Sequence, residues 1–111
     1  MISSLEKLLG TPRDGPLLRY SLGLEYAKAG DPERAAQYLR DAVTRDPLYS
    51  AAWKALGRSL NDAGRQAEAL DAYARGIEAA RAKGDRQAEK EMTVFRKRLE
   101  KAALEPGKDP K

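Results

Sequence analysis

The sequence predicts an all-α fold of antiparallel helix-turn-helix repeats, with a short helix leading it and a capping helix closing it. Three observations predict it. Ala, Leu, Glu, Lys, Gln and Arg dominate the chain, and no run of β-branched residues interrupts these strong helix formers. Glycines, prolines and Asp-Pro pairs cut the chain into helix-length segments. The cuts then recur: Gly57 follows Gly23 by 34 residues, and Gly64 follows Gly30 by the same step. Leu22 and Leu56, Ala29 and Ala63, and Ala35 and Ala69 keep that step, while Val43 and Ile77 match in type. A fixed period of this length marks stacked helical pairs.

Each element follows from its punctuation. Ser3 or Ser4 is expected to cap a short first helix carrying Ile2, Leu5, Leu8 and Leu9, which Gly10 ends. "TPRDG", Thr11 to Gly15, is a turn-forming linker, so residues 1–15 form a leading segment. Pro16 suits the first position of a second helix, which runs to Gly30. Asp31 is a good N-cap with Pro32 behind it, and the third helix runs to Asp46-Pro47. There the residue before proline is driven out of the α region. Residues 16–49 are therefore read as one repeat. A fourth helix begins near Tyr49 or Ser50 and ends at Gly64, and a fifth runs from Gln66 to Lys83, making residues 50–84 a second repeat. No proline stops the fifth helix before Gly84, so it is expected to outrun its counterpart by about a turn. Asp85 caps a sixth helix, residues 85–104, with the stripe Ala88, Met92, Phe95 and Leu99. Residues 105–111 have no apolar anchor and are expected to be a disordered tail.

Composition bounds the chemistry. The chain has 111 residues, the size of one domain, with 41% hydrophobic and 34% charged residues. It contains neither cysteine nor histidine, which removes disulfides, thiol catalysis, and the commonest general base and metal ligand. No serine has a histidine partner, no Gly-rich phosphate loop is present, and Glu25, Glu33, Glu68 and Asp71 are scattered. The expectation is a protein that is not an enzyme, with no cofactor and no metal. No apolar run reaches the length of a membrane span, and "MISSLEKLLG" lacks the basic start and long apolar run of a signal peptide. A cytoplasmic location without membrane contact is the default expectation. The formal charge of +4 lies partly in "RKRLEK", Arg96 to Lys101. Alternation with Glu89, Glu91 and Glu100 favours a solvated helix face over a nucleic-acid patch.

The repeated residues resemble the tetratricopeptide repeat family, in its small stand-alone bacterial form. The family signature is W-x2-L-G-x2-Y in a first helix, followed in the second by Ala, an aromatic or large apolar residue, Ala and then Pro. The second unit presents Trp53, Leu56, Gly57, Leu60, Ala69, Tyr73 and Gly76; the first presents Leu22, Gly23, Tyr26, Ala35, Leu39, Ala42 and Pro47. Arg19 stands where the first unit should carry its large apolar residue, Gly76 replaces an alanine, and Arg81 replaces the terminal proline. The resemblance covers residues 16 to 104 and implies a right-handed solenoid whose sixth helix caps the array. Two repeats are few for a continuous core, so the first and sixth helices, or a homodimer, must add to it.

The resemblance also implies a scaffold or adaptor that binds a protein or peptide in a concave groove lined by the first helix of each pair. On the helix from Pro16, Leu17, Tyr20 and Leu24 form a second apolar stripe beside the core stripe Leu18, Leu22 and Tyr26. Either it is an open groove anchored by Tyr20, or Leu5, Leu8 and Leu9 fold over it. The second reading is preferred, because the short helix needs somewhere to bury its leucines. On the helix from Ser50, Lys54, Arg58, Asn61 and Asp62 occupy the groove face, and Lys28 and Arg96 are candidates to extend a basic groove. Lys54, Arg58 and Asn61 partly resemble a clamp for a C-terminal carboxylate, although Tyr20 and Leu24 occupy the matching positions of the first repeat. The expected partner is a protein or peptide with an acidic or C-terminal segment. The alternative is a homodimer through the apolar face of the helix from Pro16, and nucleic-acid binding through the basic C-terminal helix ranks third. Trp53, Leu56 and Leu60 are expected to pack on the fifth helix near Tyr73 and Leu70. Gly57 would then bring the partner backbone close.

Overall fold

The computed structural model describes residues 1–104. It contains α1 (Ile2–Glu6), α2 (Pro16–Lys28), α3 (Pro32–Arg45), α4 (Ser50–Asp62), α5 (Gln66–Lys83) and α6 (Arg86–Ala103). No strand is present among the described residues. The expected tail, 105–111, lies outside them.

Helices α2 and α3 pack as one antiparallel pair and α4 and α5 as another, with α3 against α4 and α5 against α6. The turns explain the 34-residue step. Gly30, Gly64 and Gly84 adopt φ of 81°, 80° and 75°, a left-handed conformation that glycine enters without a Cβ penalty. At each, the residue after the glycine donates its N–H back into the last helical turn: Asp31 to Tyr26 O, Arg65 to Leu60 O and Asp85 to Ala80 O. These bonds satisfy helix-end carbonyls and reverse the chain in two residues. Asp31 and Asp85 then accept the N–H groups of Arg34 and Ala88, capping α3 and α6. α5 has 18 residues against 14 in α3, the extra turn expected from the missing proline.

The N-terminal cap differs from expectation. Met1 holds the cap position of α1 without a side-chain bond, so Ser3 and Ser4 lie inside the helix.

The core is the set of stripes facing between paired helices. Leu22, Leu39, Leu56, Leu60 and Met92 are its fully buried large side chains. Gly23 is overlain by the Leu39 side chain, and a Cβ there would lie 2.7 Å from Leu39 Cδ2. Gly57 sits beneath the ring of Tyr73, where a Cβ would lie 2.7 Å from Cδ1 and Cζ. The close approach is thus to a side chain, where a backbone contact was expected. Gly76 makes room where α4, α5 and α6 meet, against Trp53 Cβ and the Met92 thioether. This explains why the position carries no alanine. Trp53 faces that glycine and donates its indole N–H to Pro47 O at 2.7 Å.

Arg19, at the register position of Trp53, substitutes charge for aromatic bulk. It makes a two-pronged contact to Asp14 at 2.8 and 2.9 Å, reaches Asp41 at 2.9 Å and lies over the Tyr38 ring at 6.0 Å. Its guanidinium holds the Asp14 carboxyl well below the usual carboxylate range, with help from the Gly10 N–H.

Candidate functional site

The concave side is built from three helices. α4 lies between α2 and α6 and touches both. They enclose an open groove of about 560 Å³. Tyr20, Leu24 and Ala27 from α2, Ala51 and Ala55 from α4, and Phe95 from α6 form its apolar surface. Lys28, Lys54, Arg58 and Asp62 stand on its α2 and α4 walls, and Glu91 on its α6 wall.

The structure divides the expected apolar stripe. Tyr20 and Leu24 line the groove, whereas Leu17, 67% exposed, lies outside it. The preferred expectation that α1 folds over this stripe is corrected. None of Leu5, Leu8 and Leu9 lines the groove; α1 packs on α2, and its Glu6 accepts a hydrogen bond from the Tyr26 hydroxyl at 2.6 Å. Tyr26 belongs to the core stripe, so α1 docks on that side of α2 and leaves the groove face open. Tyr20 finds a different neighbour, with its ring 4.9 Å from that of Tyr49.

The cations are also unequal. Lys54 Nζ donates to Glu91 Oε1 at 2.6 Å, and Gln87 donates to the other Glu91 oxygen at 3.0 Å. Lys54, with Gln87 second, holds the Glu91 carboxyl below its ordinary range, so Glu91 stays a carboxylate that offsets the Lys54 charge. Lys54 and Arg58 lie four residues apart on α4, where like charges repel, and Glu91 offsets that repulsion. Lys28 pairs with Glu25 at 3.1 Å. Arg58 is exposed and, among the described residues, has no carboxylate within 4.0 Å. It is therefore the groove's available guanidinium. Asn61 and Arg96 do not line the groove: Asn61 is exposed beyond it, and Arg96 is turned toward Glu100, 3.9 Å away. Both expectations are corrected by helix rotation: at about 100° per residue Arg96 is turned one step past the groove-lining Phe95, and Asn61 lies on the side of Lys54 away from Ala51 and Ala55.

Beneath the groove, Phe95 is doubly employed. Its ring lies 5.7 Å from Tyr73 at 45°, as the core reading required, and its other surface lines the groove. Burial pushes the Tyr73 hydroxyl up to about 12, so it stays neutral at physiological pH. Sequence reasoning missed the small residues Ala27, Ala51, Ala55 and Ser59 as groove lining, and on α6 it missed Glu91 and Phe95. The sequence signal for Glu91 and Phe95 was the helical spacing from Gln87 to Glu91 to Phe95, which has meaning once α6 is seen to stand beside α4.

Known proteins are similar to this chain in sequence and fold. A family model described as tetratricopeptide repeat matches residues 20–85. The chain is 50% identical to TPR repeat-containing protein PA0015 of Pseudomonas aeruginosa, over 92% of this chain and 97% of that one. The solution structure of protein BPP2914 from Bordetella parapertussis matches with a TM-score of 0.80 and 41% identity, covering 96% of this chain and 94% of that one. The crystal structure of the Sgt2 TPR domain from Aspergillus fumigatus matches at 0.81 with 26% identity, covering 99% of this chain and 70% of that one.

Proposed function

Because the chain belongs to the tetratricopeptide repeat family, whose domains generally mediate protein–protein interaction, we propose that it is a non-enzymatic adaptor that seats a partner segment in the groove between α2, α4 and α6. The observation that carries this reading is the free guanidinium of Arg58 beside an apolar floor. Such a surface suits a segment that places an apolar side chain on Tyr20, Leu24 and Phe95 and a carboxylate on Arg58. Lys54 is already countered by Glu91, so a multi-cation clamp is incomplete and one carboxylate is the expected anchor.

Affinity capture from lysate followed by mass spectrometry tests it, with wild type compared to a Leu24→Glu/Arg58→Glu variant. Wild type should retain partners that the variant loses, with circular dichroism unchanged. An identical set of captured proteins would refute the groove as the binding site.

A second reading is self-association, favoured by exposed apolar groups at one end of α2. Leu17 stands one turn before Tyr20, whose ring touches Tyr49, and exposed Leu48 adjoins Tyr49. Sedimentation equilibrium on the same preparations decides it, since a strict monomer removes this reading.

A further inference from the structure

We propose that the solvent face of α6 is a docking surface for double-stranded nucleic acid, contacted through the phosphate backbone. This face lies apart from the groove and does not depend on the reading given to it.

The fold sorts charges that alternate in the sequence. Glu89 leaves the outer face to accept from Arg81 of α5 at 2.8 Å, and Glu91 accepts from Lys54 of α4 at 2.6 Å. Glu100 stands beside Arg96, 3.9 Å away. Arg86, Lys90, Lys97, Arg98 and Lys101 are all exposed, and among the described residues no carboxylate lies within 4.0 Å of them. With about 100° per residue, Arg86, Lys90, Lys97 and Lys101 fall within an arc of about 60°, opposite the buried Ala88, Met92 and Leu99. At about 1.5 Å rise per residue they make a straight file of cations roughly 22 Å long. The buried stripe fixes the helix, so the file is held in place before any partner arrives.

A duplex fits this surface better than the other polyanions. Single strands bind on aromatic platforms, and the sole aromatic of α6, Phe95, is turned in against Tyr73. An interfacial lipid helix needs an apolar face, and α6 spends its own in the core, leaving Val94 and the terminal Leu104 exposed. Exposed ion pairs with acidic protein are weak, whereas each phosphate neutralised on a duplex releases condensed counterions.

Fluorescence anisotropy with a short fluorescein-labelled DNA duplex of random sequence tests this. Binding is expected at about 50 mM salt, weakening about 100-fold by 200 mM, as contact with about four phosphates implies. The Lys90→Glu/Lys97→Glu/Lys101→Glu variant should lose binding while keeping its helical content. If the reversal unfolds the chain, the Lys→Gln version at the same positions should instead lower the log–log salt slope by about 3. The Leu24→Glu/Arg58→Glu groove variant should bind the duplex as wild type does, which separates this surface from the groove. No binding at 50 mM salt, retained binding in the reversed variant, or tighter binding to phosphatidylserine vesicles or polyglutamate would each overturn the proposal.

Discussion

A methyl group added at Gly57 has nowhere to go. Its carbon would sit 2.7 Å from two atoms of the Tyr73 ring, and that ring is only 4% exposed and held by Phe95. In an open helix, Gly→Ala would stabilise by about 1 kcal/mol. Here overpacking wins, and Gly57→Ala should destabilise by about 1–3 kcal/mol in urea denaturation. A variant as stable as the parent would show that the ring moves freely. The sequence marked Gly57 as special through its period, but the residue above it had to come from the structure, because two packed helices meet by rotation as well as register. Tyr73 supplies a second residue-scale outcome. Its hydroxyl is raised by burial to about 12 from an ordinary value near 10. The neutral form is favoured in the folded state, so this contribution is complete below about pH 10 and is lost as pH rises toward 12. Tyr73→Phe should remove that part of the alkaline fall, on the order of 2 kcal/mol, when melting is compared across this window.

At the scale of the element, one aspartate joins two helices. Asp85 caps α6 through the Ala88 N–H at 3.1 Å and accepts the buried Ser50 hydroxyl at the start of α4 at 2.8 Å. The Ser50 hydroxyl, then the Ala88 N–H, hold its carboxyl below the ordinary range. Its contribution is therefore complete above about pH 4 and is lost as pH falls further. Asp85→Ala should lower Tm by about 4–8 °C at neutral pH, and the deficit should shrink in acid. An equal deficit at every pH would mean that the charged cap contributes nothing. Helix bounds were legible because they are local: Asp-Pro, Asp31, Asp85 and the left-handed glycines act within a few residues. α1 was less legible, since serines that look like caps in sequence sit inside a short helix fixed by its contact with α2.

Across the whole molecule, pairing of helices was legible and sorting of charges was not. The 34-residue period implied which helices are neighbours, yet the Lys54–Glu91 pair joins residues 37 apart on helices outside strict register. That pair removes one candidate cation from the groove and one acid from the outer face of α6, so it shapes both surfaces at once. The openness of the Tyr20 and Leu24 face depended likewise on which side of α2 receives α1. Trp53 offers a practical consequence of this layout. It is the chain's single tryptophan and is lodged against Gly76 and Pro47, lining neither the groove nor the outer file of α6. Its intrinsic fluorescence is therefore a built-in optical gauge of the α4–α5 junction. Ligands bound on either surface should leave that emission nearly silent, while melting of the array should shift it to the red.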